Sequence, residues 1–318
     1  MVSLRGRIFR WVFRKTMNMN PKTTADTVSR LRKVSERAIN DDVPEGFELS
    51  KETTENGIKF DRVTKTGADK TGRVIYYLHG GAYVAGLLSN YRTLAAGFFE
   101  ASSGCKMILL DYDLAPENKY PTQLNQAIDV WNHLVEKEGY LPENIIVAGD
   151  SAGANLTMAL FFKLRECGRK LPKAGICISL WGDMTCSGES YNKNYPVDVL
   201  FGEKRKAATK EDIDLLLSSP VYGFIGGEDR KNPYISPVFG EFGGFPPMFF
   251  TVGGDEVLLS DTLTVCEKLQ NEGIYAECEV KEGMFHTYTV FHRIVPEAKD
   301  SYKKLLKFVK RVYAGEIN

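Results

Sequence analysis

Five short runs along this chain are almost entirely apolar: Val74–Leu78, Lys106–Leu110, Ile145–Ala148, Ala174–Ser179 and Met248–Val252. A strand with one wet face alternates apolar and polar residues, whereas a strand covered on both faces reads as a continuous apolar run. Stretches with helical spacing separate the runs: Tyr91–Ser102, Gln123–Glu138, Asn155–Cys167 and, after the last run, Leu258–Glu272. A further strand over Ala276–Val280 and a helix over Ala298–Tyr313 complete the pattern. Repetition of this kind predicts an α/β fold with a mostly parallel sheet and helices on both faces. Phe47–Leu49 and Gly57–Val63 alternate instead, and are expected to form an antiparallel edge with one wet face.

Two regions depart from the rhythm. Between Trp181 and about Phe245 there is no strong strand, only a charged helical piece over Glu203–Ser219 and turns around Pro233 and Pro237. So long an excursion inside a repeating α/β pattern reads as an insertion, often a lid. The second region is the N-terminus, where Arg5, Arg7, Arg10, Arg14 and Lys15 precede the first acid, Asp26. Such charge suits a mitochondrial presequence or a membrane surface. The reading preferred here is an amphipathic helix packed on the domain through Leu4, Ile8, Trp11 and Val12. A polar helix from about Ala25 to Asn40 follows it. The expected organisation is therefore cap helices over residues 1–45 and a main domain over 46–318. A cap insertion at about 182–245 is expected to fold with the N-terminal helices over the sheet's carboxyl edge.

Composition excludes several classes. Lys plus Arg and Asp plus Glu both total 41 in 318 residues, so net charge gives no case for a nucleic-acid partner. The six cysteines are scattered, with no C-x-x-C pair and no histidine at ligand spacing. They are expected to be reduced packing residues in a cytoplasmic protein, with neither a disulfide framework nor a metal site. No apolar stretch reaches the length of a membrane span.

Gly149-Asp150-Ser151-Ala152-Gly153 lies between an apolar strand and a helical stretch. Small residues there allow the chain to reverse sharply and leave the serine at a helix N-terminus, where a developing anion is favoured. His79-Gly80-Gly81-Ala82-Tyr83 also follows directly on a strand, so its N–H groups can turn toward a substrate oxygen. Gly80, Gly81, Ala82 and Ala152 are the candidate oxyanion donors. A nucleophilic serine needs a base, and His286, in a short loop after the last strand, is preferred to His79, His133 and His292. The supporting acid should lie between serine and histidine in the chain. Asp255, the first carboxylate beyond Val252, is chosen, with Glu256 and Asp261 as the alternatives. Tyr83, Asp150 and Trp181 are expected to contact substrate.

Taken together, these blocks resemble the hormone-sensitive-lipase-like branch of the α/β-hydrolases. His79–Tyr83 is similar to its H-G-G-G/A-aromatic loop, and Tyr112-Asp113-Leu114-Ala115-Pro116-Glu117 to its Y-R-L-A-P-E block. Gly149–Gly153 matches its G-D-S-A-G elbow, Asp255–Leu258 with His286 its later segments, and Ser179-Leu180-Trp181 its S-P-W segment. Ala82 stands where a third glycine is common, Asp113 where arginine is usual and Leu180 where proline is usual. The resemblance implies an α/β-hydrolase fold and hydrolysis of short- to medium-chain carboxylic esters through an acyl-serine, with no cofactor. It also implies that the N-terminal helices belong to a cap shaping the acyl pocket, which argues against a targeting role. A monomer or homodimer acting on small esters is expected, with peripheral membrane contact by the first helix left open. The rival readings are an amidase, lactonase or arylformamidase on the same fold, and a ligand-binding receptor that retains the serine but lacks the histidine.

Overall fold

A computed structural model of the chain describes residues 2–22, 26–37, 40–67, 71–204 and 206–317. Eight strands form one sheet: β1 (Phe47–Thr53), β2 (Lys59–Lys65), β3 (Arg73–Leu78), β4 (Cys105–Asp111), β5 (Ile145–Asp150), β6 (Ala174–Ile178), β7 (Met248–Gly253) and β8 (Ala276–Lys281). Their spatial order is β1-β2-β4-β3-β5-β6-β7-β8. The first two strands and the β2–β4 pairing are antiparallel, and every later pairing is parallel. β5 and β7 are buried at every position, as their apolar runs require. β1 alternates at the wet edge.

Helices α3 (Ala95–Ser102), α4 (Thr122–Asn132), α5 (Ala152–Glu166), α8 (Leu259–Asn271) and α9 (Pro296–Tyr313) connect or cover the strands. Two apolar clusters result, one on each face of the sheet: Tyr76, Leu78 and Val147 belong to one, Ile75, Tyr77 and Ile146 to the other. Alternate residues of one strand therefore serve opposite cores. All six cysteines are free thiols.

Between β6 and β7 the described chain forms two short helices, α6 (Ser190–Lys193) and α7 (Lys210–Leu217), together with tight 3₁₀ turns and no strand. The N-terminal segment forms α1 (Leu4–Met17) and α2 (Thr27–Arg37). Ala25, the expected start of the second helix, lies outside the described residues. The two irregular regions dock on each other. The Met19 N–H donates to Leu200 O at 2.6 Å, the Asn20 amide to Phe201 O at 2.8 Å and the Arg14 guanidinium to Asp198 O at 2.8 Å.

The orientation of α1 corrects the expectation. Leu4, Ile8, Trp11 and Val12 are exposed rather than packed. The helix turns the opposite face inward: Phe9 and Phe13 meet the rings of Phe285 and Phe291 at 4.8–5.9 Å. The sequence carries two apolar stripes on one helix, and the side bearing Phe9 and Phe13 faces the body because the rings of Phe285 and Phe291 receive it.

Candidate active site

The site lies at the carboxyl ends of β3, β5, β6, β7 and β8. β5 ends at Asp150 and α5 begins at Ala152, so Ser151 alone forms the turn. Its backbone sits at φ 54°, ψ −117°, a strained conformation for a residue with a side chain. The flanking glycines are required by proximity. A Cβ on Gly149 would collide with the Gly153 backbone, and one on Gly153 with the Leu78 carbonyl. Strand, elbow and helix are packed main chain to main chain.

The glycine loop after β3 faces this elbow. Gly81, Ala82 and Tyr83 all have positive φ, at 113°, 54° and 60°. Ala82 therefore holds a left-handed conformation without being glycine, which costs on the order of 1–3 kcal/mol and must be imposed by its surroundings. Those surroundings are visible. The Ala115 N–H donates to Tyr83 O at 2.8 Å, and the Tyr83 hydroxyl donates to Asn155 Oδ1 at 2.8 Å. His79 stacks on Tyr112 at 4.0 Å, whose hydroxyl donates to His79 O at 2.8 Å. Burial lowers the His79 pKa to about 4, so the ring is neutral, and its Nδ1 lies 2.7 Å from Gly80 O.

The expected oxyanion donors divide. The Gly80 N–H is occupied, donating to Asp150 Oδ1 at 2.9 Å. Among the described residues, the N–H groups of Gly81, Ala82 and Ala152 have no protein acceptor. Asp150, expected to contact substrate, lines the cavity beside Ser151, and its carboxylate is engaged by the protein. It also accepts the Tyr77 and Tyr91 hydroxyls, each at 3.0 Å, and clamps the glycine loop to the elbow. Complete burial raises its pKa to about 6, against the opposing effect of those three hydrogen bonds and of nearby His286.

His286 is held by a carboxylate, but not by Asp255. Its Nδ1 lies 2.7 Å from Glu256 Oε2. The other Glu256 oxygen accepts the Ser179 hydroxyl at 2.7 Å and the Gly253 N–H at 2.5 Å. Glu256 is fully buried. Ser179, itself at φ 51°, also accepts the Thr287 N–H at 2.9 Å and so holds the acid and the histidine loop together. Asp255 points the other way and pairs with Arg10 of α1. The turn after β7 explains the exchange. The Asp255 N–H donates to Met284 O and the Glu256 N–H to Gly253 O, which sends the first carboxylate out and the second inward. Asp261, the other alternative, accepts from the Gly182 and Asp183 N–H groups and from Tyr191. Of the remaining histidines, His133 pairs with Glu138 and His292 stacks on Tyr302.

Ser151, His286, Gly81 and Ala82 line one cavity. Its volume is about 80 Å³, and its roof comes from Phe13 and Met17 of α1, Leu31 and Val34 of α2, and Leu200. Tyr83 and Trp181, both expected at the substrate, are buried beside it rather than lining it. Their rings pack on Phe224, at 4.3 and 5.6 Å. Sequence reasoning also missed Asn155. Its amide donates to Trp181 O and Ile235 O while its oxygen receives Tyr83, so it joins the glycine loop to the excursion. One turn beyond the elbow, a lone amide in the mostly small and apolar run Ala152–Leu160 is the signal that could have found it. Among the described residues no cluster of side chains could hold a metal ion.

A sequence profile described as alpha/beta hydrolase fold matches residues 75–290. The chain belongs to the alpha/beta hydrolase fold family. An acetyl-hydrolase of Streptomyces hygroscopicus is 31% identical over 78% of this chain and 79% of its own length. An esterase of Acinetobacter venetianus is 30% identical over 74% of each. Among solved structures, an esterase from the bacterial hormone-sensitive lipase family superposes with a TM-score of 0.82 at 28% identity, covering 98% of this chain and 99% of that one. EstE5, in crystals soaked with p-nitrophenyl butyrate, does so with a TM-score of 0.84 at 28% identity and the same coverage. This alpha/beta hydrolase is thus related to esterases in sequence as well as in fold.

Proposed function

We propose that this protein hydrolyses carboxylic esters of short- to medium-chain acids, with Ser151 as nucleophile, His286 as base and Glu256 as the acid that holds the base. The observation that carries the reading is convergence. One small apolar cavity is lined by the strained elbow serine, by a histidine whose Nδ1 is held by a buried carboxylate, and by a loop with unengaged N–H groups.

In this mechanism His286 Nε2 takes the Ser151 proton as Oγ attacks the ester carbonyl. The N–H groups of Gly81, Ala82 and Ala152 receive the oxyanion, each donor contributing about 3–4 kcal/mol to the transition state. The alcohol departs with the proton from His286, and water then repeats the sequence on the acyl-serine. Glu256 fixes the tautomer and stabilises the imidazolium. We read α1, α2 and the 182–245 excursion as a cap. Phe13, Met17, Leu31 and Leu200 meet the acyl chain, and the small volume under them favours short acids. No helix of the described residues is long and apolar enough to cross a membrane.

The test is a p-nitrophenyl ester series of increasing acyl length on wild type and Ser151→Ala. Turnover by wild type should peak among the short chains and fall by at least about 10⁴-fold in the variant. Equal rates in the two proteins would refute the reading.

A further inference from the structure

We infer that the outer face of α1 docks on an anionic lipid surface. The helix is apolar on two opposite sides. Phe9, Phe13 and Met17 face the body, where Phe13 and Met17 roof the cavity. Leu4, Ile8, Trp11 and Val12 recur at offsets of four, seven and eight residues and form the opposite stripe. Their exposures are 69%, 54%, 63% and 39%. A lone exposed leucine is ordinary, but four large apolar residues in one row on a helix are not.

The charges around the stripe choose the occupant. α1 contains no acidic residue. Arg10 and Arg14 turn toward the body, onto Asp255 and the carbonyls of Val197 and Asp198. Arg5, Arg7 and Lys15 remain exposed, and among the described residues none of them makes an ion pair. On the helical wheel Arg5 and Arg7 flank the stripe on either side, and Lys15 continues it at the C-terminal end. Cations beside an apolar row with a central tryptophan match a bilayer interface. There the apolar side chains enter the acyl boundary, the indole sits at headgroup level and long basic side chains reach the phosphates. A second protein copy would bring the same cations against one another, which disfavours a self-paired stripe.

The docking does not depend on the ester reading. Only its consequence does: with α1 on the membrane, the cavity roofed by its inner face lies next to lipid-borne acyl esters.

Trp11 provides a direct probe, because the other two tryptophans, Trp131 and Trp181, are each 1% exposed. The experiment titrates the full chain with phosphatidylcholine vesicles, with and without about 30 mol % phosphatidylglycerol and with brominated acyl chains as quencher. The expected result is a blue shift and quenching of Trp11 with the anionic vesicles, weakened in about 0.5 M salt. In co-sedimentation, Ile8→Gln/Trp11→Gln and Arg5→Gln/Arg7→Gln/Lys15→Gln should each lose at least about tenfold in partitioning. Both variants should keep turnover of a short soluble p-nitrophenyl ester, which shows that they are folded. Ser151→Ala should bind vesicles like wild type. Absence of vesicle binding, or binding that survives both multiple variants, overturns the proposal and leaves the ester reading standing. A lipid-free dimer that shields Trp11 would also overturn it, by giving the stripe to a second copy.

Discussion

The floor and the roof of the cavity are built differently. On the floor, directed hydrogen bonds fix individual groups: Gly80 N–H to Asp150, Ser179 and Gly253 to Glu256, His286 to Glu256. Five non-glycine residues there, Ala82, Tyr83, Ser151, Ser179 and Thr287, hold positive φ. Among the described residues the roof presents mainly apolar side chains to the cavity. Phe13, Met17, Leu31 and Val34 present apolar side chains, and ring contacts with Phe285 and Phe291 anchor α1. A polar network tolerates little displacement, because each lost partner strands a buried group. Apolar contacts adjust with small losses. Chemistry should therefore be sensitive to changes in the floor, and acyl preference to changes in the roof.

The sharpest way to break this contrast uses two adjacent carboxylates. Glu256→Gln leaves the histidine without its acid, and kcat should fall about 10³- to 10⁴-fold in a steady-state ester assay. Asp255→Asn removes only a partly exposed pair with Arg10 and should leave kcat/KM within about threefold of wild type. The reverse ranking would exchange the roles of the two residues.

Asp150 gives a smaller effect with a pH signature. Asp150→Asn removes one acceptor oxygen from a site with three donors, and kcat should drop about tenfold. The folded pKa is raised to about 6 from 3.8, so the native state binds the extra proton between these values. The contribution to stability is fully present below pH 3.8 and is lost as pH rises through about 6. Denaturant midpoints should show wild type losing up to about 3 kcal/mol relative to Asp150→Asn across that window. A difference independent of pH would mean that the buried carboxyl does not titrate there.

The smallest effect belongs to the roof. Phe13→Leu keeps the site apolar but opens space above Ser151. Preference for a longer over a shorter acyl chain should rise about three- to tenfold, with kcat on an acetyl ester nearly unchanged. A general loss of kcat would show that α1 supports the chemistry as well as the pocket.

The same division governs what could be read without coordinates. The apolar runs gave the sheet because a doubly covered strand has no other pattern, and the elbow was legible because only small residues permit main-chain contact at Gly149 and Gly153. Which of Asp255 and Glu256 turns inward was not legible. It depends on a turn closed by Met284, 29 residues further along the chain, and on a hydroxyl from Ser179. Nor was the inward face of α1, since two apolar stripes compete and only the rings of Phe285 and Phe291 decide between them. Of Tyr83, Asp150 and Trp181, Asp150 lines the cavity with its carboxylate taken up by Gly80, Tyr77 and Tyr91, while Tyr83 and Trp181 pack behind the wall. Sequence adjacency to the site does not distinguish a side chain that lines the cavity from one that braces it.

The measurement that bears most directly on Ser151 as nucleophile is mass spectrometry of the protein after brief exposure to a p-nitrophenyl ester or to a fluorophosphonate. The account predicts one acyl or phosphonyl adduct, mapped to Ser151, absent in Ser151→Ala and formed far more slowly in Glu256→Gln. An adduct on another residue, or ester turnover undiminished in Ser151→Ala, would contradict it.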